Sequence, residues 1–69
     1  MQVSARNALK GTVKKVVEGS VNTEVTLEVA PGVDVVAIIT KGSAQKLQLE
    51  EGKQAYTIIK SSDVMVAVD

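Results

Sequence analysis

The sequence contains no Cys, no His, no Trp and no Phe, and its aromatic content is the single Tyr56. Without Cys no disulfide can form. Without Cys or His, zinc fingers, haem ligation and Cys/His nucleophiles are excluded, because the soft and imidazole ligands they need are missing. An excess of one charge is also lacking, since eight Lys plus Arg balance eight Asp plus Glu. General binding to nucleic acid or to an anionic membrane needs a basic excess that neutralises phosphates, so neither partner is expected. No apolar run approaches the ~18 residues of a membrane span, and the start Met1-Gln2-Val3-Ser4-Ala5-Arg6-Asn7 has no long apolar stretch. A soluble, cytoplasmic protein is expected. Length is short as well: 69 residues make one domain, 1–69. A single core of this size rarely supplies more than ~3–5 kcal/mol of net stability without a disulfide, a metal or oligomerisation. Association with copies of itself is the remedy left.

What the chain does have is β-branched residues, thirteen Val, four Ile and five Thr. Branching at Cβ restricts χ1 and suits a pleated surface, so a mainly β fold is expected. From Leu9 to Val17, Leu9, Val13 and Val17 alternate with polar residues, and Gly11 within the run suggests a bent or bulged first strand. After a turn at Glu18-Gly19-Ser20, the residues Val21, Thr23, Val25, Leu27 and Val29 occupy one face of a second strand. Ala30-Pro31-Gly32 closes it, with Gly32 accepting positive φ. Val33 to Thr40 carries apolar residues without alternation, which implies a third strand covered on both faces, most simply by a second subunit. Ser43 reads as the N-cap of a short helix with Ala44 and Leu47 turned inward, and Gly52 ends the connection. A fourth strand from about Gln54 to Lys60 and a fifth from about Val64 to Val68 flank Ser61-Ser62-Asp63.

Five short strands with one short helix between the third and fourth make the element order of an OB-like Greek-key barrel, with an SH3-like barrel as the alternative. Fold order alone does not give function. The polar residues Ser4, Arg6, Asn7, Thr40, Lys41, Ser43, Lys60, Ser61 and Ser62 are rich in donors, which suits a small oxyanion. Each has an ordinary reading too: Ser43 as a cap, the lysines as solvated charges, the serines as turn residues.

Ser4-Ala5-Arg6-Asn7, Leu9-Lys10-Gly11, Gly19-Ser20-Val21-Asn22, Ala37-Ile38-Ile39-Thr40 with Ser43 and Leu47, and Ile59-Lys60-Ser61-Ser62-Asp63-Val64 together resemble the molbindin (Mop) family of TOBE-like domains. The resemblance covers essentially the whole chain and looks like the stand-alone, storage type. It implies an OB-like domain that binds molybdate or tungstate at subunit interfaces for intracellular storage, as a homohexamer built from three dimers. Carried onto this sequence, it implies Ser4 and Arg6 from one chain and Thr40, Ser43, Lys60 and Ser61 from its neighbour. Arg6 and Lys60 would neutralise the dianion while the hydroxyls and the backbone near Ser61 donate to its oxygens. A second type of oxyanion site is expected at Gly19, Ser20 and Asn22. No catalytic cofactor and no protein-ligated metal are implied, and one aromatic residue with no Cys offers little to hold a pterin. Against this reading stand a single-stranded nucleic-acid module, which would need a basic groove and stacking aromatics, and a purely structural oligomerisation domain. An enzyme built on Ser62 and Lys60 lacks a third, orienting group.

Overall fold

The computed structural model describes all of residues 1–69. Four strands, β1 (Asn7–Glu18), β2 (Asn22–Ala30), β3 (Val33–Thr40) and β4 (Gln54–Ile59), form one antiparallel sheet in the order β3-β2-β1-β4. A six-residue helix α1 (Lys41–Lys46) follows β3, and a 3₁₀ turn, Ser61–Asp63, follows β4. The fold is mainly β with one short helix where it is expected. The expected fifth strand is absent from the sheet, because Val64 to Val68 makes no ladder and Met65, Val66 and Val68 are about nine-tenths exposed, at 93%, 88% and 92%.

β1 organises the architecture because it changes partner part-way along. Residues Asn7 to Thr12 pair with β4 and residues Thr12 to Glu18 pair with β2, so that only Thr12 has a neighbour on both sides. The sheet therefore coils about that point. Gly11 sits there, and a Cβ on it would lie 2.6 Å from the Glu28 carbonyl oxygen and 3.1 Å from the Val29 side chain. The bend expected from Gly11 is present, and its cause is this close backbone crossing, which only a residue without a side chain allows.

The bulge itself lies further on. Val13 pairs with Leu27 and Lys15 with Thr26, leaving Lys14 as the extra residue. One extra residue reverses the alternation. Val16 rather than Val17 then faces Val25 in the core, and Val17 stays 43% exposed, contrary to the two-residue period read from Leu9, Val13 and Val17. Lys14 is thrown outward, where its Nζ meets Asp34 of β3 at 3.0 Å and Glu28 of β2 at 3.9 Å. The hydrogen bond to Asp34, reinforced by that carboxylate's charge, raises the Lys14 pKa above its ordinary value. Such exposed pairs contribute little to stability.

Val13, Val25 and Leu27 form the core, with Val16, Ile39, Leu49 and Ala55 packed against it. The alternation expected for β2 holds for Thr23, Val25 and Leu27, whereas Val29 is only half-buried at an irregularity of the β2–β3 ladder and Val21 falls in the turn and is exposed. The loop before β4 closes the core by backbone bonds, Val13 N–H to the Lys53 carbonyl at 2.8 Å and Gly52 N–H to the Val13 carbonyl at 2.9 Å. Gly32 has φ of +75° in the β2–β3 turn, as its position after Pro31 requires.

β3 differs from expectation. It alternates after all, with Val35, Ala37 and Ile39 turned toward the core and Val36 and Ile38 facing outward, 54% and 63% exposed. Within one chain nothing covers that outer face. The core also holds two hydroxyls without partners, Thr23 Oγ1 and Thr57 Oγ1. An unpaired buried hydroxyl costs free energy that an isosteric methyl does not. We expect Thr23→Val to raise stability by about 1 kcal/mol, read as a higher urea midpoint with an unchanged m-value.

Candidate oxyanion site

The two ends of the barrel chain meet at the start of β1. Asn7 pairs with Ile59 of β4, and its side-chain amide also donates to the Ile59 carbonyl at 3.3 Å. This clamp sets the residues just before β1 beside those just after β4. Ser4, Ala5, Arg6, Lys60, Ser61 and Ser62 consequently line one open cleft of about 390 Å³. Four of the six expected site residues, Ser4, Arg6, Lys60 and Ser61, are therefore neighbours within a single chain.

The cleft contains no carboxylate, and both ion pairs of the chain involve Lys14, leaving Arg6 and Lys60 without acidic partners. A guanidinium with five donors, an ammonium with three and the serine hydroxyls form a concave, donor-rich surface. The 3₁₀ turn adds backbone donors. Its closing bonds are given by Asp63 to the Lys60 carbonyl at 2.8 Å and by Val64 to the Ser61 carbonyl at 3.4 Å, and the first N–H groups of such a turn have no partner inside it. The chemistry available is neutralisation and hydrogen bonding of an anion.

Thr40 and Ser43 lie elsewhere. Thr40 pairs with Asn22, next to the Glu18 end of β1, whereas Arg6 and Lys60 flank its Asn7 end. Neither Thr40 nor Ser43 lines the cleft that holds Ser4, Arg6, Lys60 and Ser61. One chain therefore does not bring all six residues around one ion.

Thr40, not Ser43, is the N-cap of α1: its φ/ψ are extended and its Oγ1 accepts from the Ser43 N–H at 3.1 Å. The reason is spacing, since a cap bonds the N–H three residues on and Thr40 stands three before Ser43. The Thr40 hydroxyl donates in turn to Ser43 Oγ at 2.8 Å. Its proton is thus committed, and the Ser43 hydroxyl is the one left to donate outward. Leu47, expected to pack inward, is 56% exposed, because α1 ends at Lys46 and only Ala44 of the helix is buried. We expect Thr40→Ala to cost about 1 kcal/mol by leaving the Ser43 N–H uncapped, with Thr40→Ser restoring most of it; chemical denaturation of the two variants checks this.

The β1–β2 turn with Gly19, Ser20 and Asn22 adjoins the same end, tied to it by the Lys41 N–H bond to the Val21 carbonyl at 2.9 Å. The Gly19 N–H is taken by the Asn22 carbonyl at 2.8 Å, so at this turn the exposed Ser20 hydroxyl and the Asn22 amide are the candidate donors. Sequence reasoning named Asn7 among the polar residues without assigning it a role. The β1–β4 register and the bond to the Ile59 carbonyl are what identify it as the clamp.

The chain matches known proteins along almost its whole length. The TOBE domain family matches residues 3–66. Over 66 residues, 96% of this chain and 97% of the relative, the sequence is 47% identical to molybdenum-pterin-binding protein 3 of Clostridium pasteurianum. The chain belongs to the TOBE domain family, on its molbindin (Mop) branch. Its fold matches that of MopII from Clostridium pasteurianum with a TM-score of 0.91 at 40% identity, covering 97% of this chain and 100% of that one. It also matches the cytoplasmic molybdate-binding protein ModG, in a form with molybdate bound, with a TM-score of 0.89 at 42% identity, over 94% of this chain and 46% of that one. These relatives are named for binding molybdenum-pterin and molybdate. No helix of the present chain is long and apolar enough to cross a membrane.

Proposed function

We propose that the protein binds molybdate or tungstate at interfaces between copies of itself and stores the ion inside the cell, serving molybdenum homeostasis without catalysing a reaction. The observation that carries this reading is the cleft in which Arg6 and Lys60 converge with Ser4 and Ser61 and no carboxylate intrudes. Two positive charges match a dianion, and charge-assisted bonds to its oxygens are the strong kind. Thr40 and Ser43, at the far end of β1, complete the set when they come from a neighbouring copy, and Gly19, Ser20 and Asn22 beside them form the second type of site. The assembly we favour is a hexamer of three dimers. Its formation covers Val36 and Ile38, which a single chain leaves exposed. The relatives named for molybdenum-pterin and for molybdate support the choice of ion.

Selection against sulfate rests on size. Sulfate shares the charge and shape of molybdate but has shorter bonds, so donors fixed for the larger ion reach it poorly. A ligand that binds only the folded form stabilises it by RT ln(1 + [L]/Kd), about 2.7 kcal/mol at a hundredfold excess over Kd. We therefore expect millimolar molybdate or tungstate to raise the melting temperature by roughly 10–20 °C, at ~4–8 °C per kcal/mol for a domain of this size, with equimolar sulfate far less effective. Equilibrium dialysis against a sulfate excess completes the test. Displacement by sulfate at equal concentration overturns the selectivity, and no shift with any oxyanion returns the chain to a structural oligomerisation role.

A further inference from the structure

Six residues are too few for α1 to persist on its own helical bonds, and only its Ala44 is buried. Its place therefore depends on what holds its two ends. At the start, Thr40 caps it and the Lys41 N–H is bonded to the Val21 carbonyl. Beyond its other end, Gln48 turns into the left-handed region, at φ +53°. The Lys53 ammonium donates to two carbonyls of this turn, that of Leu47 at 2.7 Å and that of Gln48 at 3.2 Å. A cation suits the position, because the last carbonyls of a helix lack helical partners and carry the negative end of its dipole. Lys53 is anchored in turn: its carbonyl accepts from the buried Val13, whose own carbonyl accepts from Gly52. No carboxylate competes for the ammonium, since both ion pairs of the chain belong to Lys14.

The bond from Lys53 to Leu47 is the first of a series that crosses α1. The peptide that holds the Leu47 carbonyl also carries the Gln48 N–H, which donates to the Gln45 carbonyl at 3.0 Å. The peptide of that carbonyl carries the Lys46 N–H, whose helical acceptor is the Gly42 carbonyl. The peptide of Gly42 carries the Ser43 N–H, which donates to Thr40 Oγ1 at 3.1 Å, and the Thr40 hydroxyl donates to Ser43 Oγ at 2.8 Å. All of these bonds run one way, from a fixed cation to the hydroxyl that is left to donate outward. Bonds in such a series polarise and strengthen one another. We propose that Lys53 is a positioning residue of the oxyanion site, which holds α1 in place and makes the Ser43 hydroxyl a better aimed and stronger donor. This role rests on the reading that Ser43 serves the ion of a neighbouring copy. It differs from the part played by Arg6 and Lys60, because Lys53 does not line their cleft.

Isothermal titration of the full-length chain with molybdate tests this role, with Lys53→Met and Lys53→Arg each made in the parent and in the Ser43→Ala background. Lys53→Met keeps the aliphatic stem and removes the ammonium, and it should weaken binding about 3–10-fold, the loss of one ordinary hydrogen bond. Lys53→Arg keeps a charged donor and should stay within about twofold of the parent. In the Ser43→Ala background Lys53→Met should cost less than about twofold, because the donor it acts through is gone. Parent-like affinity of Lys53→Met, or an equal loss in both backgrounds, overturns the role of Lys53 while leaving the oxyanion site standing. A parent chain that binds no molybdate overturns the oxyanion reading instead. Amide hydrogen exchange without the ion is a second readout. Lys53→Met should speed exchange at Ser43, Lys46 and Gln48 and leave that of Val25 in β2 unchanged. Exchange that is unaltered along α1, or faster throughout the chain, overturns the link between Lys53 and Ser43.

Discussion

Arg6→Ala is expected to weaken molybdate binding by about 2–5 kcal/mol, and Lys60→Ala by a similar amount, the range for removing one partner of a desolvated, hydrogen-bonded charge pair. That corresponds to a loss of roughly 30-fold to several thousandfold in Kd. The two residues line one cleft with no acidic partner, so in the proposed site both face the same ion. Their effects should therefore be non-additive, with the double variant losing less than the combined single losses. Lys10, exposed within β1 and absent from the cleft, is the control, and Lys10→Ala should leave affinity within about twofold. Lys60→Arg keeps the charge but not the compact ammonium geometry and should bind at an intermediate level. Isothermal titration of the four single variants and the double variant decides the matter, and unchanged affinity in both alanine variants removes the cleft from the binding site.

Gly11→Val is the substitution we expect to be worst tolerated by the fold. Even a single added carbon would sit 2.6 Å from the Glu28 carbonyl oxygen and 3.1 Å from its carbon, and these two nearest atoms are backbone, which cannot turn aside as the Val29 side chain could. Overpacking of this kind costs typically 1–3 kcal/mol and occasionally more. Here the clash also lies where β1 passes from β4 to β2. Against a single-core stability of ~3–5 kcal/mol, that loss takes most of the margin and should leave the variant partly unfolded as a dilute chain. Saturating molybdate should recover part of the folded population, because the cleft lies outside the affected crossing. Circular dichroism during denaturation, with and without the ion, measures both effects. Gly42→Ala, on the exposed side of α1 with open space at its Cβ position, should be neutral or slightly stabilising.

Much of this fold is legible in the residues, for reasons that differ by element. β2 is read correctly from Thr23 to Leu27 because Thr23, Val25 and Leu27 face one core without interruption, whereas Val29 falls at an irregularity of the ladder with β3. β1 is read only in part. The bend at Gly11 shows in the sequence, but the extra residue at Lys14 is polar among polar neighbours and leaves no mark. The period therefore continues on paper from Val13 to Val17, where the strand itself turns Val16 inward. β3 misleads in the opposite sense, since apolar residues on its outer face conceal an alternation that the backbone keeps. The helix cap is displaced by three residues because Thr40 and Ser43 are both good caps, and only their mutual hydrogen bonds decide which one starts the helix. Val64 to Val68 has the composition of a strand but no partner within the chain, and no local pattern reveals where a partner lies.

The same logic applies to the candidate site. Arg6 and Lys60 are 54 positions apart in sequence, and only the Asn7–Ile59 pairing brings them together. Which polar residues matter came from the family resemblance. Their grouping, four in one cleft and two at the opposite end of β1, required the sheet register.

The bulge at Lys14 separates two properties that a strand usually fixes together: the direction its side chains face and the curvature of its path. Deleting Lys14 would leave Val13 and Val16 facing inward, since the residues after the deletion resume the ordinary alternation with Lys15 outward between them. The shortened strand would keep its inside and outside yet lose the local kink that tightens its coil. Its hydrophobic residues would be correctly oriented along a straighter ribbon, too open for β2 and the loop before β4 to enclose Val13 from both sides. In this curled sheet, the enclosure of Val13 depends on a residue that contributes nothing to the core.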